Sequence, residues 1–180
     1  MLTWFIKRRL AAFEKRYGYD ASYLRDLADV DLRAFFKFAR AASIGNYRRD
    51  IPLEALHAAR LAAIVAEDCG PCTQLCVAFA LEDGIPARTI TAVLAGDEAA
   101  MPELAHLGYR FVRAVNARDP GVEALREEIV QRWGKRALVA LGLQMVNARL
   151  YPTLKYALGY GKACPRVIVA GEPVTVAHAA

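Results

Sequence analysis

Residues 58–85 read AARLAAIVAEDCGPCTQLCVAFALEDGI, and this stretch contains the features that decide the fold. Two runs rich in Ala and Leu, which favour helices, flank the sequence CGPC at 69–72. Proline is well tolerated in the first turn of a helix, so a helix is predicted over 70–81, ended by an Asp-Gly pair. The preceding run predicts a helix over 52–67.

The same signals extend outward from this stretch in both directions. Further helices are predicted over 2–17, 20–28, 31–44, 86–95, 101–117, 119–133 and 136–160, with Pro152 kinking or restarting the last of them. The tail over 164–176 is rich in Val and Ile and predicts a short extended or hairpin piece. The chain is therefore predicted to form one all-α, compact helical domain. Residues 1–50 would be a helical extension, 52–159 the core and 160–180 the tail.

Composition and charge narrow the class of protein. Hydrophobic residues make up 56% of the 180, which excludes a disordered chain. The net charge of +5 is spread among acidic residues rather than massed, so no nucleic-acid partner is expected. The amphipathic pattern over 2–17 predicts packing on the core or on another subunit, with attachment to a membrane surface as the alternative.

Three of the four cysteines lie within eight residues, which is untypical of a secreted disulfide framework and favours a reducing, cytoplasmic location. Cys69, Cys72 and Cys76 are three and four residues apart, so all three would lie on one helix face. Cys69 and Cys72 can form a disulfide across the first turn. The helix N-terminus stabilises a thiolate there, which indicates redox chemistry.

Other interpretations of these cysteines remain open. Zinc would need more ligands than the pair, and Cys76 with Cys164 or His57 would have to supply them, so no metal or cofactor is expected. The cysteines could also be small core residues, above all Cys76. Cys164 lies beside Pro165 in the tail and is not expected to join the Cys69–Cys72 pair.

The stretch 58–85 resembles the carboxymuconolactone decarboxylase family, specifically its alkylhydroperoxidase D-like members. A weaker likeness extends over the rest of residues 52–159 and includes the Asn-Ala-Arg-Leu sequence at 147–150. The resemblance implies an all-helical bundle that forms a homo-oligomer. Light scattering, which gives the mass of the particle in solution, would test the oligomer. It also implies that Cys72 attacks the peroxide and that Cys69 donates a proton and resolves the intermediate.

The chain departs from the family pattern at both proton-relay positions. His57 stands where the family has Glu, and Cys76 stands where it has His. His57 could act as a base, because its ordinary pKa is near neutrality, or could be a polar residue on a helix flank. Glu54 or Glu67 could substitute for the missing carboxylate.

The resulting expectation is a thiol-dependent peroxidase or disulfide reductant that acts on a hydroperoxide or another small molecule, with an unidentified thiol as electron donor. Its site would comprise Cys72, Cys69, His57, Cys76 and Glu67. The alternatives are a non-catalytic assembly protein with the same fold and a cofactor-free decarboxylase-like enzyme, which the CxxC pair disfavours. The sequence CGPC also occurs in thioredoxin, but there it follows a strand, whereas a helix precedes it here.

Overall fold

A computed structural model describes residues 2–161 and 166–177, with Arg166 described by its backbone only. This part of the chain is mostly helical, as predicted. The helices are α1 (Leu2–Tyr17), α2 (Ser22–Val30), α3 (Leu32–Ala42), α4 (Leu53–Val65), α5 (Gly70–Glu82), α6 (Ala87–Ala95), α7 (Glu103–Ala117), α8 (Val122–Trp133) and α9 (Lys135–Ala157). Short 3-10 turns cover Ser43–Asn46 and Glu98–Ala100, and an antiparallel hairpin joins β1 (Arg166–Val169) to β2 (Glu172–Thr175).

Local chemistry explains where several helices begin and end. The Asp31 carboxylate accepts a hydrogen bond from the Arg33 N–H at 2.7 Å and caps α3, as predicted. Asp20, the predicted N-cap of α2, instead accepts from the Ser22 N–H in a turn, and Ala21 is the N-cap, one residue later than predicted. Gly96 ends α6 with a φ of +68°, a conformation that glycine adopts at no cost.

The sequence predicts that Pro152 kinks or restarts the last helix. The restart is wrong, because α9 continues through Pro152, and the kink stays a prediction. A proline in a helix loses one backbone hydrogen bond, and packing on both sides can hold the helix across that gap. Pro152 is itself buried, and so are Ala148 and Lys155 on either side of it. Tertiary packing therefore decides the length of α9.

Helix α4 lies at the centre of the fold and is buried on all its faces, with α7 and α9 against it. A helix that is apolar all round belongs in a core. Small residues let its neighbours come close: on α7, a Cβ built at Gly108 would collide with the backbone carbonyl of Ala55. The approach of α7 to α4 thus requires glycine at 108.

The C-terminal hairpin packs against α5 and α6. The Gln74 side chain exchanges two hydrogen bonds with the backbone of Ile168, at 2.9 and 2.7 Å, and Val167 and Val169 are buried. The expected hairpin is therefore present and is attached to the helix that carries the cysteines.

The N-terminal helices cover the end of α5 that carries the cysteines. Tyr19, Ala21 and Tyr23 form a second apolar cluster, which includes Leu75 of α5 and Tyr151 of α9 at its edge. This cluster joins the N-terminal extension to the core.

The predicted apolar side of α1 is only partly buried. Trp4 and Phe5 are 63% and 52% exposed, and Ile6 is the residue of α1 that is buried. Among the described helices, none combines the length and the apolar character needed to cross a bilayer.

We expect Gly108→Ala to lower the free energy of unfolding by about 1–3 kcal/mol, because the added methyl meets backbone that cannot move aside. Gly142→Ala is the matched control: it lies within α9, and a Cβ there meets nothing within 4 Å. That change should be neutral or stabilise by up to about 1 kcal/mol. Urea unfolding measures both, and equal effects would contradict the role given to Gly108.

Candidate functional site

The cysteine pair lies at the start of α5. Cys69 is the residue that precedes the helix and Cys72 is in its first turn, with Pro71 between them. The two are joined by a disulfide with a Cα–Cα distance of 5.3 Å, so the predicted proximity is confirmed. The Thr73 hydroxyl donates to the carbonyl oxygen of Cys69 at 3.1 Å and holds this turn in place.

A cavity of about 560 Å³ lies against one side of the pair. Cys72 lines it, and Cys69 is not among its lining residues. Both cysteines are nearly inaccessible from bulk solvent, at 1% and 4% exposure for Cys69 and Cys72. A small molecule in the cavity would therefore meet Cys72 first, with Cys69 behind it.

Tyr19 is the polar side chain that reaches Cys72. Its hydroxyl lies 3.9 Å from the Cys72 Sγ and 3.1 Å from the hydroxyl of Tyr23. Burial raises the pKa of Tyr19 to about 12 and also raises the pKa of Tyr23. Both phenols therefore keep their protons at neutral pH, and Tyr19 can donate a hydrogen bond to a sulfur anion.

Lys155 lies against the rings of both tyrosines. Its Nζ lies 4.8 Å from the ring centre of Tyr19 and 5.4 Å from that of Tyr23, and the residue is only 3% exposed. Sequence reasoning missed all three residues, because two lie outside the region of family resemblance and the third is far along the chain. The density of aromatic residues over 13–23 is the signal that could have pointed to them.

His57 lies in the core, apart from the cysteine pair. Its Nε2 is 2.8 Å from the Asp83 Oδ2, and the Arg48 Nη1 lies 3.0 Å from the same oxygen. Burial lowers the pKa of His57, so the ring is neutral at pH 7, and the hydrogen bond from His57 lowers the pKa of Asp83. Asp83 lines the cavity and His57 does not, so His57 orients Asp83 rather than facing Cys72.

Cys76 lies one helical turn beyond Cys72 and lines the same cavity as a free thiol. Burial raises its pKa to about 11, so it stays protonated at neutral pH. Glu67 is paired with Arg149 at 3.1 Å and is not among the residues that line the cavity. Of the predicted site residues, Cys69 and Cys72 are bonded to each other and Cys72 and Cys76 line the cavity, whereas His57 and Glu67 do not line it.

Two further predictions concern metal and Cys164. Within 2–161 and 166–177, no three His, Cys, Asp or Glu side chains are grouped so that they could hold a metal ion. Cys164 lies outside the described residues.

No family model, curated protein or solved structure matches this chain. The resemblance to the alkylhydroperoxidase D-like proteins therefore depends on the residues quoted for it.

Acid should destabilise the protein in part through His57. Its pKa in the folded state is below the ordinary value of 6.5, so the unfolded chain binds the proton more readily. Stability from this group is complete above pH 6.5 and is lost as the pH falls below it. Urea midpoints measured from pH 7.5 down to pH 5 should fall less steeply in His57→Gln than in the wild type; parallel slopes would contradict this.

Proposed function

We propose that this protein is a thiol-dependent peroxidase that reduces a small organic hydroperoxide at Cys72. The observation that carries the proposal is that Cys72 is the half of the Cys69–Cys72 disulfide that faces the cavity. A pair placed in this way separates the two roles that a peroxidase needs. One sulfur meets the substrate, and the other is in place to resolve the product.

Burial of the pair favours a small substrate over another protein. Exchange with a protein disulfide requires a sulfur that a second macromolecule can touch, as on an exposed redox motif. Here both sulfurs are almost fully enclosed, and the approach to Cys72 is through the cavity. The sequence left two functions open, peroxide reduction and disulfide reduction. The burial of both sulfurs supports peroxide reduction better than the reduction of a protein disulfide.

The reaction starts from the reduced dithiol. The Cys72 thiolate attacks the terminal oxygen of the hydroperoxide, an S–O bond forms as the O–O bond breaks, and the alkoxide leaves and takes a proton to become an alcohol. The Cys69 thiol then attacks the Cys72 sulfenic acid, water leaves and the disulfide forms. A low-molecular-weight dithiol returns two electrons and two protons to regenerate the pair.

Tyr19 supplies the proton in this scheme. Its hydroxyl is in contact with the Cys72 sulfur and is protonated at neutral pH. It can stabilise the thiolate by a hydrogen bond and then protonate the alkoxide, which is a far stronger base than a phenolate. The backbone N–H groups at the start of α5 add to the stabilisation of the thiolate. Tyr19 thus takes the role that a Glu–His relay has in the family that this chain resembles.

The alkylhydroperoxidase D-like bundle and the homo-oligomer stay predictions. The large apolar residues on the surface, such as Trp4, Phe5, Val139 and Val146, are the groups that subunit contacts would cover. Val139 and Val146 lie two turns apart on one face of α9.

Three single substitutions test the assignment of the cysteines. Cys72→Ser should abolish hydroperoxide consumption with dithiothreitol as the reductant, because no thiolate faces the cavity. Cys69→Ser should accumulate a sulfenic acid on Cys72, trapped with dimedone and located by mass spectrometry. Cys76→Ser is the matched control and should keep the wild-type rate, since Cys76 is a protonated thiol on the same wall. Full activity in Cys72→Ser would overturn the proposal.

Tyr19→Phe should lower the rate of peroxide reduction by about tenfold or more, because the hydrogen-bond and proton donor is lost. It should also raise the pKa of the Cys72 thiol, followed in the reduced protein by the pH dependence of its alkylation rate. The control is Tyr17→Phe, since Tyr17 bonds to Glu82 at 3.0 Å and does not line the cavity. An unchanged Cys72 pKa in Tyr19→Phe would show that Tyr19 is only a packing residue.

A further inference from the structure

The residues that line the cavity beside Cys72 also indicate which class of molecule it binds. We propose that it binds an organic acid with an apolar body, and that Arg60, which lines the cavity together with Arg48, holds the carboxylate. The substrate of the proposed peroxidase would then be a hydroperoxide of such an acid, and this part of the inference rests on the proposed function. The binding of the acid itself does not.

The interior of the cavity is apolar. Its inner wall is built from aliphatic and aromatic side chains, namely Leu10, Phe13, Leu24, Ile64, Leu75, Phe79 and Tyr151. A volume of about 560 Å³ is within the range of small-molecule sites, and burying a hydrocarbon chain against such a wall is favourable. The body of the ligand should therefore be hydrocarbon.

The opening of the cavity is polar. Four of the lining residues are exposed to solvent, and all four are polar or charged: Asn46, Arg48, Glu82 and Asp83. A ligand that enters here would keep a charged group at the opening and place its apolar end inside, towards Cys72.

The two carboxylates at the opening already have partners. Asp83 is bonded to His57 and Arg48, at 2.8 and 3.0 Å. Glu82 is bonded to Arg16 and Tyr17, at 2.9 and 3.0 Å. These acids therefore do not leave uncompensated negative charge that would repel an anion.

Arg60 is the positive group that remains. Its Nε donates to the Gln144 Oε1 at 2.9 Å, and the Gln144 amide donates to the carbonyl oxygen of Gly45 at 2.9 Å. A neutral amide holds the side chain in place without cancelling its charge, and Arg60 makes no ion pair within the described residues. Its remaining N–H groups suit the planar carboxylate, which guanidinium binds with two parallel hydrogen bonds.

Asn147 adds a hydrogen-bond acceptor to the residues that line the cavity. Its Oδ1 is buried and has no hydrogen-bond donor within the described residues, and the residue lines the cavity. A buried acceptor without a partner is costly, and an O–H group of the ligand would satisfy it. A hydroperoxide carries such a group, as does the alcohol that it forms.

Calorimetry with octanoate tests the inference without any turnover. Octanoate should bind the oxidised wild-type protein, octanamide should bind about tenfold more weakly or worse, and inorganic phosphate should not bind detectably. Arg60→Gln should reduce the affinity for octanoate by about tenfold and leave octanamide unchanged. Arg60→Lys should recover part of the loss. Arg110→Gln, an exposed arginine on α7 away from the cavity, should match the wild type.

Several outcomes would overturn the inference. Equal affinities for octanoate and octanamide would show that the charge is not recognised, and tight binding of phosphate would show a general anion site. If Arg60→Gln lowers the melting temperature sharply, Arg48→Gln at the exposed opening replaces it, and an unchanged affinity for octanoate in that variant counts against the inference.

The two proposals fail separately. Octanoate binding by a wild-type protein that reduces no hydroperoxide would overturn the proposed function and keep this inference. Peroxidase activity without octanoate binding would do the reverse.

Discussion

The burial of α4 on every face is the constraint on which the rest of the structure depends. A helix without a solvent side must be surrounded, so α5, α7 and α9 are all arranged around it. Its alanines keep the surrounding helices close, and Gly108 permits the closest approach. Two polar residues of α4, His57 and Arg60, then pair with side chains from distant segments, namely Asp83 and Gln144.

The candidate site is a product of that enclosure. The start of α5 would be a shallow surface turn if α1 to α3 did not cover it. With them in place, Cys72 faces a cavity whose interior is apolar and whose opening is polar. Burial opposes ionisation of a thiol, since it removes water from the charged form. At Cys76, one turn beyond Cys72, burial raises the pKa to about 11. The Tyr19 hydroxyl lies 3.9 Å from the Cys72 sulfur, and the proposed function uses this contact and the helix N-terminus to stabilise a thiolate there.

Sequence patterns predicted the helices well because the signals that end helices are local. Asp31 and Gly96 act through their own backbone and side chain, whatever surrounds them. Pro152 shows where this reasoning fails, since its effect depended on packing that no local signal reveals. The site likewise has one part that local sequence predicts and another that depends on tertiary packing. The Cys69–Cys72 pair follows from spacing within one turn, but Tyr19, whose hydroxyl reaches the Cys72 sulfur, is 53 positions away along the chain.

The sequence by itself determined an all-helical chain with a hairpin tail and two cysteines within bonding distance. Each of these depends on residues that are neighbours along the chain. Only the tertiary structure decided that His57 supports Asp83 rather than Cys72, that Glu67 pairs with Arg149, and that Tyr19 and Arg60 face one cavity. The physical reason is that a side chain's protonation and partners depend on what is packed around it, and that packing joins segments whose proximity no local pattern encodes.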